Sequence, residues 1–225
     1  AELREDVERM TRHDLKSPLT GIIGLPEVML GDPDLPDHFK ELIGLIKEAG
    51  LKMLGMINLS LDLYKMETGT YALDPRPVDL ADVMRGVARD LTPLISAKEL
   101  TLVFETDGTP GLAGPVTVLG EKLLLVSLFS NLLKNAAEAS PQGGEVRLIL
   151  SGRDRVWISI HNAGAVPESV RDRFFEKYAT AGKSGGTGLG AYSARLIVRN
   201  LGGDIDFLSD EDQGTTLFLS IPRPF

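Results

Sequence analysis

The chain of 225 residues is 43% hydrophobic and 25% charged with a formal net charge of −8, a composition that fits a soluble globular protein holding one large or two modest cores. Its acidic balance argues against a nucleic-acid partner, because phosphate binding needs a basic face that nothing here supplies. With no cysteine there is no disulfide framework and no thiolate metal site, and His13, His38 and His161 are too scattered for a zinc motif.

Residues 2–30 and 37–67 are rich in Leu, Ile, Met, Glu and Lys and read as two helices. Gly31-Asp-Pro-Asp-Leu-Pro36 between them is a turn, since Pro33 and Pro36 both disfavour helix continuation. In the second helix Leu42, Ile46, Ala49, Met53, Met56, Ser60 and Leu63 step by four and three, a heptad seam with one polar interruption. Leu45, Leu54, Ile57 and Leu61 widen that seam beyond what two helices cover, which predicts a homodimer through residues 1–67 closing a four-helix bundle. On the first helix Leu15, Leu19, Ile22 and Met29 should face the bundle. His13, two residues before Leu15 and so about 200° around the helix, should point outwards, where an imidazole can act as a nucleophile. Asp14 beside it can orient or deprotonate the ring, although taken alone such a pair is equally a solvated one; Pro18 should kink the helix one turn on. No run approaches the roughly 18 apolar residues that span a bilayer, and residues 1–9 lack the apolar stretch of a signal peptide. The chain is expected to be soluble by itself, a cytoplasmic fragment without membrane contact of its own, with membrane anchoring of a longer parent protein left open.

After Pro77 the pattern gives a helix over residues 79–97, a strand over 100–105, a short strand over 116–119 and a helix over 121–139. Strands over 145–151 and 156–161, a glycine-rich stretch, a helix over 189–201 and strands near Ile205 and over 215–221 complete it. Strands on one side and helices on the other make a two-layer α/β sandwich, so the fold class is α+β, a dimeric helical hairpin followed by this sandwich. Asn131 and Asn135, four apart, share one face of the 121–139 helix. Asn is a poor helix former, so two of them stacked beside an apolar surface suggest the polar wall of a pocket rather than a solvated face. An amide oxygen is a hard neutral ligand suited to Mg²⁺, which takes waters and nucleotide phosphates as its other ligands. Two other motif readings fail on context. Gly186-x-Gly188-x-x-Ala191 lacks the preceding strand of a dinucleotide fold, and Gly182-Lys-Ser184 has Lys177 where a P-loop requires Gly.

His13-Asp-Leu-Lys-Ser-Pro-Leu19 resembles the phosphoacceptor box of sensor histidine kinases, in which His, an acidic residue, a small polar residue and Pro-Leu occur in that order. Leu61-Asp-Leu-Tyr-Lys-Met-Glu-Thr-Gly69 is similar to the end of that family's second helix, with Gly69 a natural stop. The resemblance implies a dimerisation and phosphotransfer hairpin over 1–70, a linker over 71–78 that Asp74-Pro-Arg-Pro77 would stiffen, and a catalytic ATP-binding domain over 79–225. Asn131-Leu-Leu-Lys-Asn-Ala-Ala-Glu-Ala139 resembles the asparagine box of the histidine kinase and Hsp90-type ATPase superfamily, by which Asn135 would hold Mg²⁺. Hydrolysing members carry a glutamate where Asn131 stands, so this chain is expected to favour phosphotransfer, with His13, Asp14 and Asn131 as its catalytic candidates. Glu138 occupies a place where kinases often carry a basic residue, so a phosphate contact would come from Lys134 or the lid.

Ile158-Ser-Ile-His-Asn-Ala-Gly-Ala-Val-Pro167 resembles the first glycine box, about one residue shorter than its common form, with Asn162 in place of the usual acidic residue and Gly164 following. The Asn162 carbonyl can accept from the adenine amino group and its amide can donate to a ring nitrogen; Asn and Gly are also ordinary turn residues. Phe174-Phe-Glu-Lys-Tyr178 resembles the phenylalanine box, and Gly182-Lys-Ser-Gly-Gly-Thr-Gly-Leu-Gly190 the second glycine box. There Gly186, Thr187, Gly188, Leu189 and Gly190 would bring backbone amides and a helix N-terminus to the phosphates as an ATP lid. Lys177 and Lys183 would add charge or stay solvated, Tyr178 would flank the nucleotide, and Gly214-Thr-Thr216 resembles the last glycine element, with Thr215 in the site. The implied function is ATP-dependent phosphorylation of His13 and transfer to an aspartate of a response-regulator receiver domain. Two alternatives stay open at this point: a degenerate kinase serving as a nucleotide-binding scaffold, favoured by Asn162 and Glu138, and a phosphatase-dominant member, for which Ser17 replaces the family's Thr or Asn. A chaperone-type ATPase is disfavoured by Asn131 and by the His13 box.

Overall fold

The computed structural model describes residues 18–33, 35–112, 114–180 and 188–224. The chain separates into two units, Ala1–Thr68 and Gly69–Phe225. In the first, helix α1 (residues 18–30) and helix α2 (Asp37–Glu67) form an antiparallel hairpin. Gly31 N and Asp32 N donate to the carbonyls of Val28 and Met29 to end α1, and the extended Pro36 caps the start of α2, whose first turn carries Asp37 against the helix dipole. The α2 helix ends where the backbone and hydroxyl of Thr68 turn back onto the Tyr64 carbonyl, followed by Gly69 at φ +69°.

Leu19, Pro26, Ile43 and Gly50 are buried in the hairpin, and Lys47 pairs with Glu27 across it at 3.0 Å. A Cβ on Gly50 would lie 2.9 Å from the Ile23 side chain, so glycine is what lets the helices approach there. The intra-hairpin contact runs through Ile43 and Gly50, while Leu42, Ile46, Ala49 and Met53 of the expected seam stay exposed in the single hairpin. Leu25, Val28, Leu42, Leu45, Ile46 and Met53 are each 51–76% exposed. The expected kink at Pro18 and the outward His13 concern residues at or before the edge of the described segment, and His13, Asp14, Leu15 and Ser17 lie outside it.

The segment expected as a linker over 71–78 instead joins the second unit. Strand β1 (Arg76–Asp79) pairs antiparallel with β4 (Thr117–Gly120), because the extended backbone that Pro75 and Pro77 impose is also what a ladder requires. Both carboxylate oxygens of Glu121 tie down the residues before it, accepting from Tyr71 Oη at 2.9 Å and Asp74 N at 3.0 Å. The helix expected over 79–97 is two helices, α3 (Leu80–Asp90) and α4 (Thr92–Ala97), since Pro93 has no N–H to continue α3 but suits the first turn of α4. Asp79 caps α3 by accepting from Ala81 N, and the same oxygen accepts from Val116 N at 2.9 Å, which couples the cap to the strand beside it.

A six-stranded sheet follows in the order β3 (Thr109–Pro110), β2 (Thr101–Thr106), β5 (Glu145–Ser151), β6 (Arg155–Asn162), β8 (Gly214–Pro222) and β7 (Asp204–Asp210), with β2 and β5 parallel and every other pair antiparallel. Alternate residues of β5 and β6 (Val146, Leu148 and Leu150; Val156, Ile158 and Ile160) are buried, as a half-covered sheet demands. They pack under α5 (Lys122–Ala139), whose Leu125, Leu128, Phe129, Leu132 and Leu133 are at most 1% exposed and contribute about 1.5–3 kcal/mol each. Helix α7 (Gly190–Asn200) lies beside α5, and α6 (Glu168–Arg171) is a single turn. Helices on one face and strands on the other give the two-layer sandwich expected. Lys122 on α5 pairs with Asp82 on α3 at 3.1 Å and holds that carboxyl below the ordinary carboxylate range. Among the described residues no helix is long and apolar enough to cross a membrane.

Candidate nucleotide site

Asn131, Asn135 and Ala139 follow one another at single-turn intervals along α5, so one face of the helix presents two amides and then a backbone carbonyl over about 12 Å. At its far end this face meets the loop after β6. A Cβ on Gly164 would lie 2.0 Å from the Ala139 carbonyl oxygen, a backbone approach that only glycine permits. The α5 end is itself fixed, because Lys98 Nζ donates to the carbonyls of Ala137 (3.0 Å), Glu138 (2.9 Å) and Ser140.

At the near end the start of α7 lies on the two amides. A Cβ on Gly190 would come within 3.5 Å of Asn135 Nδ2 and 3.7 Å of Asn131 Oδ1. Asn131 Nδ2 donates to Ser193 Oγ at 3.0 Å, and Ser193 Oγ donates to the Gly190 carbonyl at 2.9 Å, so this buried hydroxyl pins α7 to α5. Helix α7 starts at Gly190 without a side-chain cap from Leu189, so the positive end of an 11-residue helix lies over the two amides. The half-buried side chain of Asn135 makes no hydrogen bond among the described residues, whereas Lys134 pairs with Glu138 at 3.8 Å. One amide oxygen, with no His, Cys, Asp or Glu cluster around it among the described residues, suits a cation that draws its other ligands from phosphates and water, as Mg²⁺ does.

At the Gly164 end Asn162 is 3% and Thr215 5% exposed. Asn162 Nδ2 donates to the Gly164 carbonyl at 3.0 Å, and Thr215 Oγ1 donates to the same carbonyl at 2.7 Å. One of the Asn162 N–H groups expected to face a ring nitrogen is thus engaged within the loop. Gly214, at φ +76°, crosses here: a Cβ on it would lie 2.3 Å from the Asn162 carbonyl oxygen.

Of the expected lid, Tyr178 and Gly188 are joined by an N–H···O bond of 3.0 Å, both at φ +64°. Gly188 has no room for a side chain, since its Cβ would meet Tyr178 Cα at 2.6 Å. Tyr178 is 69% exposed, and the ammonium of Lys177 stands 5.1 Å from the centroid of the Tyr192 ring. The rings of Phe174 and Phe175 pack against Phe207. Lys183, Gly186 and Thr187, like His13 and Asp14, lie outside the described residues. The structure therefore gathers Asn131, Asn135, Leu189 and Gly190 at one end and Asn162, Gly164 and Thr215 at the other. Two concavities lie elsewhere: an apolar void beside Leu133 and an open cleft of about 480 Å³ lined by Asp74, Arg76 and Glu121. Ser193 and Ser209 were not read from the sequence as part of the site; a serine that reaches only 2% exposure inside α7 signals a bonded role only once its neighbours are known.

Residues 3–69 match the His Kinase A (phospho-acceptor) domain, and residues 120–224 match the histidine kinase-, DNA gyrase B-, and HSP90-like ATPase domain. Autoinducer 2 sensor kinase/phosphatase LuxQ of Vibrio parahaemolyticus is 28% identical over 234 residues, covering 99% of this chain and 27% of that protein. Aerobic respiration control sensor protein ArcB of Escherichia coli is 29% identical over 220 residues, covering 94% of this chain and 28% of that protein. The chain thus spans about a quarter of the length of these curated relatives. Among solved structures, full-length ShkA in complex with AMPPNP is similar in fold with a TM-score of 0.68 at 22% identity, covering 96% of this chain and 45% of that one. The catalytic domain of the histidine kinase ThkA has a TM-score of 0.58 at 24% identity, covering 67% of this chain and 96% of that one.

Proposed function

The chain belongs to the sensor histidine kinases, with a phosphoacceptor domain followed by a domain of the ATP-binding type, and from that premise we propose that it moves the γ-phosphoryl group of ATP to His13 and then to an aspartate of a response-regulator receiver domain. The observation that carries this reading is the polar face of α5, which runs from the Gly190 end of α7 to the buried pair Asn162 and Thr215. A nucleotide laid along it has its base at Asn162 and its phosphates at the start of α7. Asn135 is the residue to hold Mg²⁺, which supplies charge neutralisation at the phosphates. Lys177, Tyr178, Lys183 and residues 186–190 belong to the lid over them.

In the reaction a ring nitrogen of His13 forms a bond to the γ-phosphorus as the bond to the β,γ-bridging oxygen breaks, ADP leaves, and Asp14 orients the ring and takes up its proton. Positioning and electrostatics supply the rate, since phosphoryl transfer asks little covalent chemistry of the protein. Asn131 stands where a hydrolase would place a water-activating carboxylate, and its amide is tied to Ser193, which supports transfer rather than hydrolysis. In this reading the first unit, Ala1–Thr68, dimerises and carries the phosphoryl group and the second, Gly69–Phe225, binds ATP, both on the cytoplasmic side. Nothing observed favours the scaffold or phosphatase-dominant alternative. Replacing His13 with Gln should abolish phosphorylation and leave ADP affinity at the parent value; loss of both would contradict this division of labour.

A further inference from the structure

Glu121 stands immediately before α5, a position from which an acidic side chain can cap a helix, yet its carboxylate makes no cap bond there. Both oxygens turn the other way: Oε2 accepts from Tyr71 Oη at 2.9 Å and Oε1 accepts from Asp74 N at 3.0 Å. Each oxygen of the fork thus takes one donor from the same short stretch of chain, which lies some 50 residues earlier. Bonds to an ionised acceptor are roughly twice as strong as neutral ones, so the two together make a strap that holds residues 71–75 on the second unit.

The consequence is a shortened connection between the two units. Thr68 is bonded to α2, its N–H and its hydroxyl both reaching the Tyr64 carbonyl, and Tyr71 is bonded to Glu121. Between those two residues lie Gly69 and Thr70, and Gly69 holds φ at +69°, a conformation without steric cost for glycine. An extended chain spans at most about 3.3–3.6 Å per residue, so the stretch from Thr68 to Tyr71 covers about 10 Å. With the Glu121 bonds broken, the next paired backbone is that of β1, where Arg76 faces Gly120 on β4, and the stretch from Thr68 rises to about 28 Å.

We infer that Glu121 is a positioning residue for phosphoryl transfer: by strapping residues 71–75 to the second unit it shortens the tether between that unit and the phosphoacceptor hairpin, and so raises the effective concentration at which bound nucleotide and His13 meet. For tethered partners that concentration falls roughly as the −3/2 power of tether length once the tether can span them. Lengthening the connection from Thr68–Tyr71 to Thr68–Arg76 therefore lowers it about fourfold. A carboxylate that serves the strap rather than the helix cap is what this role requires. The inference rests on reading the chain as a kinase that phosphorylates His13.

Two measurements on the whole chain test it: hydrogen exchange of the Asp74 amide, and the rate of label transfer from γ-labelled ATP to His13 with Mg²⁺ at saturating ATP, where a change in nucleotide affinity drops out. Glu121→Ala should speed the exchange at least about tenfold and slow the transfer about fourfold. Glu121→Gln should restore both, because its amide oxygen can accept from Asp74 N while its amide nitrogen donates to Tyr71 Oη. Inserting Gly-Ser-Gly-Ser-Gly between Gly69 and Thr70 lengthens the connection equally with the strap intact. That variant should slow transfer to the same extent, with Asp74 exchange and ADP affinity at the parent values. A parent rate of transfer in either Glu121→Ala or the insertion variant would overturn the strap's role, as would Asp74 exchange that Glu121→Ala leaves unchanged. A parent chain that puts no label on His13 would instead remove the function on which that role depends, so the two failures are distinguishable.

Discussion

A methyl group at position 164 would have to share space with the Ala139 carbonyl oxygen, which as backbone cannot swing aside as the tip of a side chain can. Gly164→Ala is expected to cost about 1–3 kcal/mol of stability and to weaken ADP binding together with it, because the loop it displaces carries Asn162. Thermal unfolding and calorimetric titration of the variant check both, and a variant that melts and binds like the parent would refute the contact. At this scale the sequence told which residues matter and little of what they touch. Asn162, Gly164 and Thr215 were legible as members of short motifs, and Asn131 and Asn135 as a pair on one helical face. Their partners were not, because bonds such as Thr215 to Gly164 join residues 51 apart and exist only once the register of β6 on β8 is set. Ser193 and Ser209 carry no local pattern that separates them from solvated serines.

Helix α5 is held at both ends by residues distant in sequence. Glu121 at its start receives Tyr71 and Asp74, and Lys98 closes its last turn with three carbonyl bonds. Since the polar face for the nucleotide lies between those ends, their fixation transmits to the site. Lys98→Met keeps the aliphatic stem and deletes the charge-assisted bonds, so urea unfolding should show a loss of about 1.5–3 kcal/mol, with a midpoint equal to the parent's excluding the cap. Element identity was largely readable here: α2 spans Asp37–Glu67 and β5 spans Glu145–Ser151 as the periodicity predicts. The helix expected over 79–97 failed where apolar spacing continues past Leu91 while Pro93 breaks the backbone ladder, and the linker expected over 71–78 failed because strand pairing is invisible in a segment of four residues. Neither β3 nor α6 is long enough to leave a periodic signal.

At the scale of the molecule, the hairpin leaves a face of Leu25, Val28, Leu42, Leu45, Ile46 and Met53 more than half exposed, an apolar area that one hairpin cannot cover by itself. In the dimer proposed from the sequence a second copy closing a four-helix bundle would bury it, so Leu45→Glu should convert the chain from a dimer to a monomer in sedimentation experiments. A parent that sediments as a monomer would refute the bundle. The order of the motifs along the chain made both units recognisable, whereas spacing alone did not divide the apolar face of α2 between contact within the hairpin, at Ile43 and Gly50, and an outward seam, because a broad apolar face admits more than one helix register. The most direct test of the central claim is chemical. The purified chain and its His13→Gln variant are incubated with Mg²⁺ and γ-labelled ATP, and the acid and base stability of any protein-bound label is measured. Phosphorylation of His13 predicts label on the parent alone, lost in acid and retained in base; acid-stable label, or equal label on both chains, would contradict it.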